Sequence, residues 1–142
     1  MPIKNKIVSI VDDELTTSNL FYNALRTIRG INVFWFTDPI EALEHLKMNK
    51  RDYAVVISDL RMPVINGVRL LQTVKDLNPS ARTMLITAYD IDDNLLQEYT
   101  KKEIIDCFLQ KPIGVDQLRL EVSNQICFLY TLEILIASHL KI

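Results

Sequence analysis

Ile57-Ser58-Asp59-Leu60-Arg61-Met62-Pro63 is the stretch that decides the fold. It closes an apolar run, Ala54-Val55-Val56-Ile57, whose length and β-branched content fit a strand buried on both faces of a parallel sheet. A carboxylate, Asp59, stands where that strand stops, and Pro63 bars its continuation. An acid at the mouth of a buried strand is costly unless it is paired, bound to metal or used chemically. Partners for Asp59 must therefore come from the ends of other strands.

Four further apolar runs supply those ends. Ile7 to Val11 runs into Asp12-Asp13-Glu14, and Met84-Leu85-Ile86 into Thr87. Cys107-Phe108-Leu109 runs toward Lys111-Pro112, and Ile31 to Phe36 makes a strand after Gly30. Helical patterns separate them. The first has Thr16, Thr17 and Ser18 as candidate caps, an apolar stripe of Leu20, Phe21, Ala24, Leu25 and Ile28, and Gly30 as its stop. The second opens at Asp38-Pro39, buries Ala42, Leu43 and Leu46, and ends near Asn49. Asn66-Gly67 turns into a third helix with Leu70, Leu71, Val74 and Leu77 inward, closed by Asn78-Pro79. Residues 90–102 predict a more polar fourth helix with Leu95, Leu96 and Tyr99 inward, and a long fifth helix starts near Val115. Five strands alternating with five helices predict an α/β fold, an open parallel sheet wound on both faces.

Composition narrows the function. The chain has 142 residues, 49% of them hydrophobic and 24% charged, which fits one globular domain with a real core. A net charge of −2 offers no basic footprint for a phosphate backbone, so direct nucleic-acid binding is not expected. Cys107 and Cys127 form neither a disulfide framework nor a metal cluster; both read as buried thiols of a reducing cytoplasm. The first strand's five apolar residues are too short for a signal-peptide core, so export is not indicated.

Asp12, Asp13, Asp59, Thr87 and Lys111 each follow a strand, and functional groups of an open α/β sheet gather at the carboxyl ends of its strands. One acid there is usually a cap or loop residue; the complementary set points to function. Three carboxylates in one pocket repel each other unless a cation intervenes. An all-oxygen donor set without nearby His or Cys suits Mg²⁺ and argues against zinc. A carboxylate beside a metal, a lysine and a hydroxyl is the arrangement of an aspartyl-phosphate site, where cation and lysine neutralise charge on the equatorial oxygens.

From Lys6 to about Gln125 the sequence resembles the receiver domain of two-component response regulators. The matching pieces are Asp12-Asp13, Asp59-Leu60-Arg61-Met62-Pro63 with Gly67, Ile86-Thr87-Ala88 and Lys111-Pro112. The resemblance implies a flavodoxin-like sheet of order 2-1-3-4-5 and Asp59 as phosphoacceptor. It also implies Mg²⁺ held by Asp12 (through water), Asp13, Asp59 and the Arg61 backbone carbonyl. Thr87 and Lys111 would contact the phosphoryl group, and Thr87 and Phe108 would form the switch. The phosphodonor would be a sensor histidine kinase or phosphotransfer protein; His45 and His139 fit no such role and read as surface or interface residues.

Three departures from the family pattern stand out. Ile104-Ile105 replace the usual small pair before the fifth strand. Asp106 fits a charged dimer surface of DNA-binding relatives, but Glu121 stands where a basic residue is expected, so that dimer is not carried over. Arg61 and Tyr89, which flank the path of attacking water, are neither acids nor amides, so a long-lived acyl phosphate is expected. The division expected is a receiver domain at residues 1–125 and an apolar helical extension at residues 126–142. The run Ile126 to Ala137 exceeds the one apolar face a receiver's last helix needs. A membrane span would take about 20 apolar residues, and Glu133 interrupts this run. A homodimer through the last helix is therefore expected.

The leading reading is a non-enzymatic switch that signals by protein contact, limited to self-phosphotransfer and slow loss of phosphate. An Asp-nucleophile phosphohydrolase would place a second acid two residues after Asp59, where this chain has Arg61. A flavin carrier would need a Ser/Thr/Gly-rich loop after the first strand, where acids stand instead. A pseudo-receiver that takes up no phosphate is the remaining alternative.

Overall fold

The computed structural model describes residues 5–140. Five strands, β1 (Lys6–Val11), β2 (Ile31–Phe36), β3 (Tyr53–Ser58), β4 (Arg82–Thr87) and β5 (Cys107–Gln110), form one parallel sheet. Their order is β2-β1-β3-β4-β5, the flavodoxin-like order. The intervening helices are α1 (Leu15–Leu25), α2 (Pro39–Met48), α3 (Gly67–Leu77), α4 (Asp93–Lys101) and α5 (Val115–Leu140).

Two apolar layers flank the sheet. One joins Val11, Val56 and Leu85 to Leu46 of α2 and to Leu70, Leu71 and Val74 of α3. The other joins Val8, Ile10, Ile57 and Met84 to Phe21 and Leu25 of α1 and to Leu118, Val122, Ile126 and Leu129 of α5. Every residue of β3 is buried, which explains its uninterrupted apolar run. Ile104 and Ile105 are buried in the first layer, so the bulky pair before β5 is core rather than an enlarged surface loop.

Several expectations are corrected. None of Thr16, Thr17 and Ser18 caps α1, which begins at Leu15 after Glu14 without a side-chain cap. The Asp12 carboxylate accepts the Glu14 N–H at 2.9 Å, while the Ser18 hydroxyl turns inward and donates to the Asp12 carbonyl at 2.8 Å. The helical register this sets puts Ser18, Phe21, Ala24 and Leu25 inside and leaves Leu20 outside. α1 also ends five residues before Gly30, whose φ of +83° serves the turn into β2 instead. α4 starts at Asp93 behind an Asp92 cap and buries no residue fully; Leu95 faces solvent while Leu96 and Tyr99 pack.

The two thiols are not both buried: Cys107 is half-buried and Cys127 exposed, because α5 turns other residues to the sheet. Burial, aided by Glu121, pushes the Cys107 thiol up to about 11. His45 is no ordinary surface residue. Its ring lies 4.5 Å from that of Phe34 and 5.3 Å from that of Phe36, and Nδ1 is 2.5 Å from the Tyr53 hydroxyl. Tyr53 in turn shares a 2.7 Å hydrogen bond with Ser9. Burial lowers the His45 pKa from 6.5 and lifts the Tyr53 phenol to about 12. Asp106 is engaged within its own chain, accepting from Lys75 Nζ at 2.6 Å and from the Thr83 N–H at 2.9 Å.

Candidate phosphoacceptor and metal site

The carboxyl ends of β1, β3 and β4 and the segment after β5 bring the five strand-end groups together. Asp12, Asp13 and Asp59 each offer a carboxylate oxygen, all within 4.8 Å of one another. Asp12 is 3% exposed, Asp59 half-buried and Asp13 exposed, so the cluster opens to water on one side only. Lys111 Nζ donates to Asp12 Oδ2 at 2.8 Å and lies 3.9 Å from Asp59 Oδ1. Thr87 is fully buried, and its hydroxyl accepts the Tyr89 N–H at 3.2 Å.

Burial lifts the Asp59 carboxyl above its ordinary range. The Lys111 ammonium opposes this, the Asp12 charge adds to it, and the Leu60 N–H and Thr87 hydroxyl pull it down without cancelling it. A single lysine thus balances a site with three acids. That excess of negative charge, an all-oxygen donor set and one solvent-facing edge fit a small divalent cation that keeps some of its waters.

The loop after Asp59 is held by backbone. Gly67 N–H donates to the Leu60 carbonyl at 2.7 Å, and Asn66 caps α3 by accepting from Arg69 N–H at 2.9 Å. A Cβ on Gly67 would stand 2.0 Å from the Asp59 carbonyl oxygen, so glycine is required for α3 to start this close to the acid. Val64 takes φ +73° in a tight turn closed by Ile65 N–H to the Pro63 carbonyl at 2.8 Å. Arg61 is exposed, and its guanidinium covers the Tyr89 ring at 3.8 Å. Phe108, half-buried on β5, packs in the layer of α2 and α3 rather than in the acidic pocket. The Lys111–Pro112 peptide is cis.

Sequence reasoning took Ser18 for a helix cap and missed that its hydroxyl secures the Asp12 backbone. Its signal was a hydroxyl on the apolar face of α1, three residues before Phe21. It placed Gly67 in a turn and in the family pattern without its physical reason, because the approach of Asp59 to that position is a tertiary contact.

Comparison with known proteins defines the class. The family model for the response regulator receiver domain matches residues 8–123, and the chain belongs to that family. It is 30% identical over 117 residues to the transcriptional regulatory protein ZraR of Klebsiella oxytoca, covering 82% of this chain and 25% of that protein. It is 31% identical over 111 residues to the DNA-binding transcriptional regulator NtrC of Escherichia coli K12, covering 78% of this chain and 23% of that one. The chain thus spans about a quarter of these relatives. Among solved structures, an uncharacterized protein from Neptuniibacter caesariensis matches at a TM-score of 0.81 and 30% identity, with 93% of this chain and 95% of that one covered. A receiver domain protein from Clostridium thermocellum shares the fold at a TM-score of 0.78 and 24% identity, with 89% and 98% covered.

Proposed function

We propose that this chain is a phosphorylation-driven switch that takes a phosphoryl group from a histidine kinase or phosphotransfer protein onto Asp59. The observation that carries this reading is the convergence of the Asp12, Asp13 and Asp59 carboxylates within 4.8 Å, with Lys111 Nζ bridging toward two of them. An Asp59 carboxylate oxygen attacks phosphorus, a new O–P bond forms as the P–N bond of the donor phosphohistidine breaks, and the departing imidazole takes up a proton. Asp13, Asp59 and the Arg61 carbonyl, with Asp12 through water, would hold Mg²⁺, which would supply positive charge at the phosphoryl oxygens. Lys111 offers its ammonium to the same oxygens, and Thr87 donates its hydroxyl to one of them. Phe108 follows Thr87 as the second half of the switch.

The chain catalyses only its own modification and a slow loss of phosphate, and it signals by protein contact in the cytoplasm, a setting that suits two free thiols. Arg61 and Tyr89, stacked at 3.8 Å, are neither acids nor amides suited to orient a hydrolytic water. The test is intact mass spectrometry after incubation with Mg²⁺ and a small-molecule phosphodonor. One phosphoryl adduct on wild type and none on Asp59→Asn is expected. No adduct on wild type under conditions where Mg²⁺ binding is measured separately would refute the proposal.

A further inference from the structure

The amino ends of β1 and β3, the turn after α3 and the second half of α5 enclose a hollow of about 350 Å³, at the end of the sheet away from the acids. Three cations line it: Lys6, Lys50 and Arg51. Its one acid, Glu133, is taken by Lys6, whose Nζ lies 3.1 Å from Oε1. The side chains of Lys50 and Arg51 have no ion-pair partner among the described residues, so two positive charges remain free. Asp52 follows them in sequence but does not line the hollow. We propose that this hollow binds the phosphate of a phosphomonoester, with Lys50 and Arg51 holding the dianion.

The walls are fixed before any ligand arrives. Asn78 Nδ2 donates to the Lys50 carbonyl at 2.5 Å, and Asn78 Oδ1 accepts the Ser80 N–H at 3.1 Å. The turn that carries Lys50 and Arg51 is closed by Asp52 N–H to the Asn49 carbonyl at 2.9 Å. Holding two cations beside one hollow therefore costs little further ordering when an anion enters. Lys6, 19% exposed, keeps the far wall positive where solvent screens it least.

Charge and shape select the ligand class. Two free cations match a phosphate dianion, and the planar fork of Arg51 fits phosphate oxygens two at a time. The net charge of −2 on the whole chain does not cancel this patch. A six-residue strand such as β3 rises about 20 Å, twice the screening length of about 10 Å, so the acids at its other end are scarcely felt. Leu77, Pro79 and Leu129 give the hollow an apolar side for an organic body, and Ser80 and Asn78 add polar groups. Its volume suits a small molecule, whereas a nucleic-acid backbone wants a stripe of cations along a face. Ile134, Leu135 and Ile136 stand exposed on α5 just beyond Glu133, so a soluble ester and a lipid headgroup both supply the same chemistry.

The proposal stands independently of phosphoryl transfer, and its test is run with a chelator present so that the acidic cluster recruits no phosphate through a metal. Adenosine 5′-monophosphate and glycerol 3-phosphate are titrated into the full chain by calorimetry, with adenosine and glycerol as uncharged controls. Vesicles containing phosphatidate are sedimented with the chain alongside. Wild type is compared with Lys50→Glu/Arg51→Glu and with the control Arg29→Glu/Lys101→Glu, all four positions being exposed and each variant checked by circular dichroism. Wild type and the control should bind a phosphomonoester with a dissociation constant on the order of 0.1 mM. The Lys50→Glu/Arg51→Glu variant should bind at least about 30-fold more weakly. Binding to both soluble esters identifies a free ligand; binding to phosphatidate vesicles alone, lost in the same variant, identifies a headgroup, and either supports the site. A wild type that binds neither esters nor vesicles, uncharged controls that bind as well as the esters, or a folded Lys50→Glu/Arg51→Glu variant that binds like wild type would each overturn the proposal.

Discussion

Replacing Gly67 by alanine should strike the site through the backbone alone. The added methyl carbon would lie 2.0 Å from the Asp59 carbonyl oxygen and 2.9 Å from both its carbonyl carbon and Ser58 Oγ. A comfortable carbon–oxygen contact is about 3.3 Å, so more than 1 Å must be recovered. No rotamer can supply it, because the nearest opposing atom is main chain and Gly67 N–H is bonded to the Leu60 carbonyl at 2.7 Å. Overpacking of this kind costs about 1–3 kcal/mol, and a backbone clash belongs near the top of that range. Alanine's helix preference returns at most about 1 kcal/mol at the first residue of α3. The net of about 2 kcal/mol should lower the unfolding temperature by about 6 °C. Because the strain bears on Asp59, phosphoryl uptake should also slow by about 100-fold. Thermal unfolding by circular dichroism and the rate of adduct formation by mass spectrometry report the two effects. An alanine variant as stable and as quickly phosphorylated as wild type would refute the reasoning.

Four other outcomes are expected. The folded-state pKa of His45 lies below 6.5, so the native chain binds the proton less tightly than the unfolded one; stability is full above that value and lost as pH falls below it. His45→Gln, keeping an amide near Tyr53, should flatten the urea-measured stability slope between about pH 7 and pH 5, and an unchanged slope would show another group responsible. Asp106→Ala strands Lys75 and the Thr83 N–H around a carboxylate site only 12% exposed and leaves Arg82 with Gln125 alone; a loss of about 3 kcal/mol in urea unfolding is expected, and a loss below about 1 kcal/mol would count against it. Val64→Gly should relieve the positive φ and raise the unfolding temperature by about 3 °C, with a fall contradicting the strain argument. Arg61→Asn breaks the stack on Tyr89 and puts an amide near the pocket; phosphate loss should quicken by about tenfold, and an unaltered lifetime would exclude Arg61 as a shield.

The strands and their polar ends were legible because a parallel strand buried on both faces leaves a continuous apolar run, and the acid, hydroxyl or lysine that follows marks the rim. β3 and Asp59 are the clearest case. Helix edges were less legible. α1 starts at Leu15 with no side-chain cap, and the Asp12 carboxylate takes up the Glu14 N–H just before it, so Thr16, Thr17 and Ser18 looked like caps and none is one. Burial of single residues was hidden where it depends on distant chain. His45 meets Phe34, Phe36 and Tyr53 from β2 and β3, none of which its helix pattern contains. Cys127 sits in a run apolar on every side, so local pattern could not say which residues turn to the sheet. The glycine at 67 was visible as a turn, but its closeness to Asp59 exists only once β3 and α3 are assembled.

The central claim is that the acidic cluster exists to phosphorylate one carboxylate. Borohydride reduces an acyl phosphate to an alcohol, which turns the modified aspartate into homoserine and can be located by tandem mass spectrometry after proteolysis. With Mg²⁺ and a small-molecule phosphodonor, homoserine should appear at position 59 alone, and not when the metal is chelated. Homoserine at Asp12 or Asp13, or at no position while Mg²⁺ is bound, would contradict the account.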